Sequence, residues 1–260
     1  MCSMAKVIGA IIGYIWGGFW GLVLGIVIGH VVGRIVVKAL RGGLLKHQAK
    51  VQHAFFEATF SVMGHLAKAD GRVTEQEIQI ARRVMQNMKL GEAATQQAMA
   101  LFAQGKSADF DLEGVLLDLR RVGGLRHRPL MQMFIEIQVS AGYADGDLAP
   151  SERTVLLTLC EGLGFTAADL ERIESMVRAE IHGHKEGAGL SLDDAYAILS
   201  IKKTATDSDV KRAYRRLMSQ HHPDKLEAKG LPKEMMKIAE EKTHEIRMAY
   251  EKIRDERGFK

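Results

Sequence analysis

Residues 7–33, VIGAIIGYIWGGFWGLVLGIVIGHVVG, contain no Asp, Glu, Lys or Arg. At 1.5 Å per residue a helix of this length crosses a hydrocarbon core of about 30 Å with some tilt. Within lipid the backbone must hydrogen-bond to itself, so the segment is predicted to be a single transmembrane helix. Seven of its eight glycines, Gly9, Gly13, Gly17, Gly21, Gly25, Gly29 and Gly33, fall in one four-residue register, with Gly18 outside it. In water each would cost a helix roughly 1 kcal/mol relative to alanine. In a membrane, small residues at this spacing let two backbones approach closely, so the row predicts a packing surface and a homodimer. The plainer reading is that glycine is simply common in membrane spans. A cleavable signal peptide fits poorly, since its apolar core is only about 7–15 residues long and follows basic residues. Here the bases come afterwards, as Arg34, Lys38, Arg41, Lys46 and Lys50, against Lys6 alone before the span. The positive-inside rule then places residues 1–6 outside and everything after the basic segment 34–50 in the cytoplasm.

The remaining chain is long enough for one or two domains. A formal net charge of +4, part of it juxtamembrane, suits contact with anionic lipid better than a nucleic-acid footprint. Two cysteines, Cys2 and Cys160, cannot build a disulfide framework, in keeping with a reducing compartment. Strand-like alternation is nearly absent beyond the membrane segment, so the expected fold class is all-α.

Residues 51–181 are read as one helical domain made of two pseudo-repeated halves. A helical stripe of Phe55, Phe56, Thr59, Phe60, Met63 and Leu66 runs into ADGRVTEQE; a second, of Leu130, Met133, Phe134, Ile137 and 139–141, runs into ADGDLAPSE. Each turn matches the second half of a calcium-binding EF-hand loop, but Leu66 and Lys68, or Ala141 and Tyr143, stand where the earlier oxygen ligands belong. The bland reading is a turn followed by a helix start, with Thr74 and Glu77 in the first copy and Pro150 and Ser151 in the second. These halves resemble the TerB-like family. That resemblance implies a divalent-metal role for Asp70, Glu77, Asp145 and Glu152, which pseudo-symmetry could bring together as hard oxygen ligands. His182 and His184, beside a glycine-rich stretch, read as part of a linker over 182–190.

Residues 191–260 separate into three helices. Ser191 caps the first, and Thr206 with Asp207 begins the second, whose Val210, Ala213, Tyr214, Leu217 and His221 share a face. Lys211, Arg212, Arg215 and Arg216 occupy the opposite arc. His222-Pro223-Asp224 must end that helix, because proline disfavours the helical conformation before it and cannot continue the ladder. Pro232 suits the first turn of a third helix that buries Met236, Ala239, Thr243, Ile246, Tyr250 and Ile253, giving an antiparallel hairpin across about eleven loop residues.

The pattern DAYAIL…VKRAYRRLMSQHHPDK…IRMAYEKI closely resembles the J domain of DnaJ-type co-chaperones. With the span and the middle domain, the whole chain resembles the membrane-anchored DnaJ-like proteins of the bacterial inner membrane. The resemblance implies a partner, a DnaK-type ATPase chaperone whose hydrolysis the domain stimulates. It assigns the essential tripeptide to His222, Pro223 and Asp224, and the partner-facing bases to Lys211, Arg212, Arg215 and Arg216. Charges of this kind steer association and fix orientation, although most charge runs are simply solvated faces. No base-stacking aromatics are interleaved with them, so nucleic acid is not expected. No nucleophile stands at a recognisable spacing, so the chain reads as a regulator and not an enzyme. It lacks the Gly/Phe-rich stretch and zinc repeats of full-length DnaJ, and with only RDERGFK after the third helix a fourth J-domain helix is expected to be missing or rudimentary. The competing reading is a membrane scaffold or divalent-metal sensor that works mainly through the middle domain.

Overall fold

The computed structural model describes residues 45–69, 90–123, 127–144, 146–185 and 190–259, with positions 7, 11, 27, 28, 30, 31, 42, 43, 82, 85, 86 and 88. Two compact units result, residues 1–50 and residues 51–260. In the first, the described positions are helical. No helix among the described residues is long and apolar enough to cross a membrane, and all seven glycines of the row lie outside those residues.

The second unit is helical among its described residues, with no strand. Helix α1 spans 51–67, and is followed by α2 (Glu92–Gly105), α3 (Leu112–Gly123), α4 (Arg128–Gly142), α5 (Pro150–Leu163) and α6 (Ala167–Lys185). The two halves meet through α1 and α4. Phe55 packs edge-on against Phe134 with ring centroids 6.0 Å apart, and the buried Gln138 amide donates to the Thr59 carbonyl at 3.0 Å. Every residue from Leu130 to Val139 except Gln132 is buried. An α-helix apolar nearly all round belongs at a domain centre, and α4 holds that place. Ser140, read as part of the buried stripe, is exposed. The crossing of α1 with α2 is closer than ordinary side chains permit, since a Cβ on Gly64 would meet the Phe102 carbonyl and one on Gly105 the Ser61 carbonyl.

Local chemistry sets the ends of these helices. Ala149 is the N-cap of α5, with Pro150 at the first position; Glu152 accepts from the Ala149 backbone N–H at 2.9 Å, which is half of a capping box. Gly164 ends α5 in the left-handed region at φ 77°. Thr166 and Asp169 cap α6 reciprocally. This helix runs to Lys185, so His182 and His184 lie on it and the expected linker begins later than 182. It also serves two cores: Leu170, Ile173 and Val177 face the middle domain, while Ala179 packs with the C-terminal helices.

Those helices are α7 (Leu192–Ile198), α8 (Asp207–His221), α9 (Pro223–Ala228) and α10 (Met236–Arg257). Ser191 accepts from Asp194 N–H, and Thr206 with Asp209 completes a capping box on α8. The hairpin is antiparallel: Arg257, at the end of α10, donates to Asp207 at the start of α8 at 3.0 Å. Tyr196, Leu199, Val210, Leu217, Ile246 and Ile253 fill the core, and Tyr214 stacks on Tyr250 at 4.2 Å. The connection between α8 and α10 is more ordered than the sequence suggested. It holds α9 and a 3-10 turn over Lys233–Met235, with Pro232 capping that turn, so α10 itself starts at Met236. Among the described residues no helix follows Arg257; Phe259 packs edge-on against Tyr250.

Candidate functional site: an exposed loop on a buried ionic mount

Helix α8 ends where its sequence requires. His222 precedes proline and leaves the helical region, with φ −59° and ψ 124°. It then becomes the N-cap of α9, its ring Nδ1 accepting the Asp224 N–H at 3.2 Å. A backbone N–H can only donate, so Nδ1 carries no proton and the ring's N–H is on Nε2. His222, Asp224 and Lys225 are exposed and Pro223 is half-buried. The Lys225 ammonium donates to Ser219 Oγ at 2.6 Å, which ties the loop back to α8.

Arg212, Arg215 and Arg216 are exposed along the same helix. Arg212 lies 3.5 Å from Asp209. Lys211 differs from them: it is half-buried, with its ammonium 5.2 Å above the Phe259 ring. The structure thus brings the tripeptide and three arginines onto one helix and its terminus, while the fourth base faces the chain's last aromatic residue.

Beyond Lys225 the chain turns inward. Leu226, Leu231, Met235 and Ala239 join the core of the middle domain. Gly230, at φ +104°, lies directly against α1, where a Cβ would overlap Val51 Cγ1 and stand 2.7 Å from Val51 Cβ. Gln52 donates to the Leu231 carbonyl at 3.3 Å.

Directly behind the tripeptide is a charged cluster with almost no solvent contact. His221 is 1% exposed, Glu136 2% and Lys242 6%. His221 Nε2 lies 3.1 Å from both Glu136 oxygens, and its Nδ1 3.0 Å from the Leu217 carbonyl. Both ring nitrogens face acceptors, so the ring is an imidazolium opposite an ionised carboxylate. Gln132 donates to Glu136 at 2.8 Å. The Lys242 ammonium donates to both oxygens of Glu180, at 2.8 and 2.7 Å, and lies 3.7 Å from Glu136. Two cations and two anions therefore share one dry site, drawn from α4, α6, α8 and α10.

The electrostatics agree. Burial works against ionisation of Glu136, but His221 and Lys242 overcome it and hold the carboxyl down at about 2. Burial likewise disfavours charged His221, yet the charge and hydrogen bond of Glu136 raise its pKa. Lys242 is raised in the same way, chiefly by Glu180. Half-buried Glu245 is pushed up by burial and by the neighbouring Glu180 charge. Removing one member of such a cluster leaves an uncompensated buried charge, so each depends on the others.

The periodicity placed His221 on a buried face but gave no role to Glu136, Lys242 or Glu180. The signals were present. Glu136 is the one charged residue inside LMQMFIEIQV, and such a residue is rarely buried unless paired. Lys242 stands three residues after Ala239 and four before Ile246, in the register of the buried stripe.

Of the four acidic residues expected to hold a metal, Asp70, Glu77 and Asp145 lie outside the described residues, and Glu152 caps α5. Among the described residues no group of three His, Cys, Asp or Glu is placed to hold a metal ion. Cys160 is buried; burial first, then nearby Asp169, pushes its thiol up to about 12, which keeps it protonated and unreactive at neutral pH.

Comparisons with known proteins agree with this architecture. Family models match three segments: tellurite resistance protein TerB over residues 56–175, a DnaJ domain over 194–258, and the co-chaperone DjlA transmembrane domain over 1–46. The co-chaperone protein DjlA of Shewanella oneidensis is 46% identical over 211 residues, covering 80% of each chain. That of Vibrio cholerae is 45% identical over 233 residues, covering 82% of this chain and 81% of the relative. The Coxiella burnetii protein is 45% identical over 218 residues, covering 81% and 80%. No solved structure matches. A tripeptide loop closing a basic helix, within a DnaJ domain, defines a J-domain co-chaperone. More particularly, the chain belongs to the DjlA family of membrane-anchored co-chaperones.

Proposed function

We propose that the chain is a single-pass inner-membrane co-chaperone whose J domain stimulates ATP hydrolysis by a DnaK-type chaperone. In this reading residues 1–6 are periplasmic, 7–33 span the membrane, and the middle domain (51–181) and J domain (191–260) are cytoplasmic. Two copies associate through the row from Gly9 to Gly33. One observation carries the proposal: His222 and Asp224 remain exposed at the end of a helix with three exposed arginines, although His221 just before them and Leu226 two residues after Asp224 are buried. Arg212, Arg215 and Arg216, with Lys211, steer an acidic partner and set its orientation. His222, Pro223 and Asp224 then act on the partner as a rigid tip, and this chain supplies no nucleophile of its own.

The test is single-turnover ATP hydrolysis by a DnaK-type chaperone, with the full chain reconstituted in vesicles. His222→Gln is expected to abolish stimulation while shifting the melting temperature by less than about 2 °C, the scale of an exposed substitution. Equal stimulation by wild type and variant refutes the mechanism.

A further inference from the structure

The tripeptide is not held by the J domain alone. His221 immediately precedes it, and the side chain of His221 is anchored in a different domain, on both oxygens of Glu136 at 3.1 Å. On the other side of the tripeptide, Leu226 and Leu231 are buried in the middle-domain core, and Gly230 rests on Val51. Both flanks of an exposed loop are therefore fixed to α1 and α4. The exposed residues between them stay open to solvent, so the middle domain supports this surface and does not cover it.

We infer that Glu136 is a positioning residue for the J domain: through the buried pair with His221 it holds the His222-Pro223-Asp224 loop in its partner-competent orientation, so the middle domain sets the effective strength of the co-chaperone. The inference rests on the ATPase-stimulating reading above for its activity arm only. Lys242 links the same carboxylate to α10 and, through Glu180, to α6. Four helices from both domains thus converge on the position before the tripeptide. If the pair is broken, the loop samples other orientations. A partner that recognises one of them then binds with an affinity reduced by the competent fraction, while its response once bound is unchanged.

The experiment uses the full chain in vesicles and compares wild type, Glu136→Gln and His221→Gln. Two readouts are taken: amide hydrogen exchange along the chain, and ATPase stimulation titrated against co-chaperone concentration. In Glu136→Gln, exchange over residues 222–231 is expected to accelerate about tenfold or more, the scale of one charge-assisted hydrogen bond. Helices α2 and α3 keep their protection. Half-maximal stimulation should need more co-chaperone by the same factor by which the competent fraction falls, with the maximum preserved. A merely structural role would leave the half-maximal concentration unchanged or lower the maximum with it, and either result overturns the inference. Unchanged loop exchange in a folded variant also overturns it. If Glu136→Gln loses protection throughout, the milder His221→Gln variant, which keeps a donor toward Glu136, is judged by the same criteria. Should wild type fail to stimulate hydrolysis at all, the functional reading falls, and loop exchange alone decides whether Glu136 holds the loop.

Discussion

Gly230→Ala isolates the docking of the loop after the tripeptide onto the first helix of the middle domain. Two costs apply at this position. A residue with a side chain at φ +104° carries backbone strain of about 1–3 kcal/mol. Overlap of the new Cβ with Val51 adds roughly 1–3 kcal/mol, as overpacking does elsewhere. Taking about 2 kcal/mol for each, the substitution should destabilise by roughly 4 kcal/mol, which for a unit of this size lowers the melting temperature by about 8–16 °C. Val51→Ala alone removes two buried carbons and should cost about 2 kcal/mol. The double variant removes the Cγ1 overlap but keeps the 2.7 Å approach to the Cβ of residue 51 and the backbone strain, so it should cost about 5 kcal/mol, where independent effects would sum to about 6. Thermal unfolding of the four proteins in detergent, followed by circular dichroism, measures that cycle. Strict additivity, or a Gly230→Ala cost below about 0.5 kcal/mol, refutes the docking of Gly230 on Val51.

The ionic mount carries a pH signature. His221 faces Glu136 of α4, to which Gln132 also donates, with Lys242 of α10 beside that carboxylate and Glu180 of α6 and Glu245 of α10 around Lys242. Its folded pKa is raised from 6.5, so its contribution is full below about pH 6.5 and is lost as pH rises through the raised value. Glu136, depressed from 4.5 to about 2, contributes above about pH 4.5 and fades as pH falls toward 2. The melting-temperature difference between wild type and His221→Gln should therefore be largest between about pH 4.5 and 6.5 and shrink as pH rises through the raised value of His221; a constant difference sinks this account. In the membrane, replacing Gly17, Gly21 and Gly25 by leucine should weaken self-association, read by a two-hybrid reporter of span–span contact, and leave insertion intact, because leucine forces facing backbones apart. Undiminished association would reduce the glycine row to ordinary membrane-helix composition.

Much of this architecture is written locally. Ser191, Thr206, Pro150 and the His-Pro step each fix a helix end through neighbours only a few residues away, so reading the chain in order finds them. The aromatic stripe of α1 and the apolar run of α4 were legible for the same reason. The mount was not, because its pairs join residues 62 and 85 positions apart. A single charged residue in an apolar register announces that it needs a partner without naming one. The connection after the tripeptide was underestimated for a related reason. Leu226, Leu231 and Met235 look like scattered apolar loop residues until the middle domain supplies the surface that buries them. Pro232, whose fixed φ suits a helix start, caps a single 3-10 turn instead.

Helix α6 carries one last consequence. Because Val177 faces one core and Ala179, half a turn later, faces the other, the two domains hold a rigid element in common where a tether would be expected. Independent modules joined by a flexible tether melt separately and can be exchanged between proteins. Modules that own the same helix are expected to unfold as one cooperative block, and cutting between them leaves Lys242 without Glu180. In transplant experiments a J domain moved without α4 and α6 is therefore expected to lose the buried partners of His221 and Lys242, which are Glu136 and Glu180.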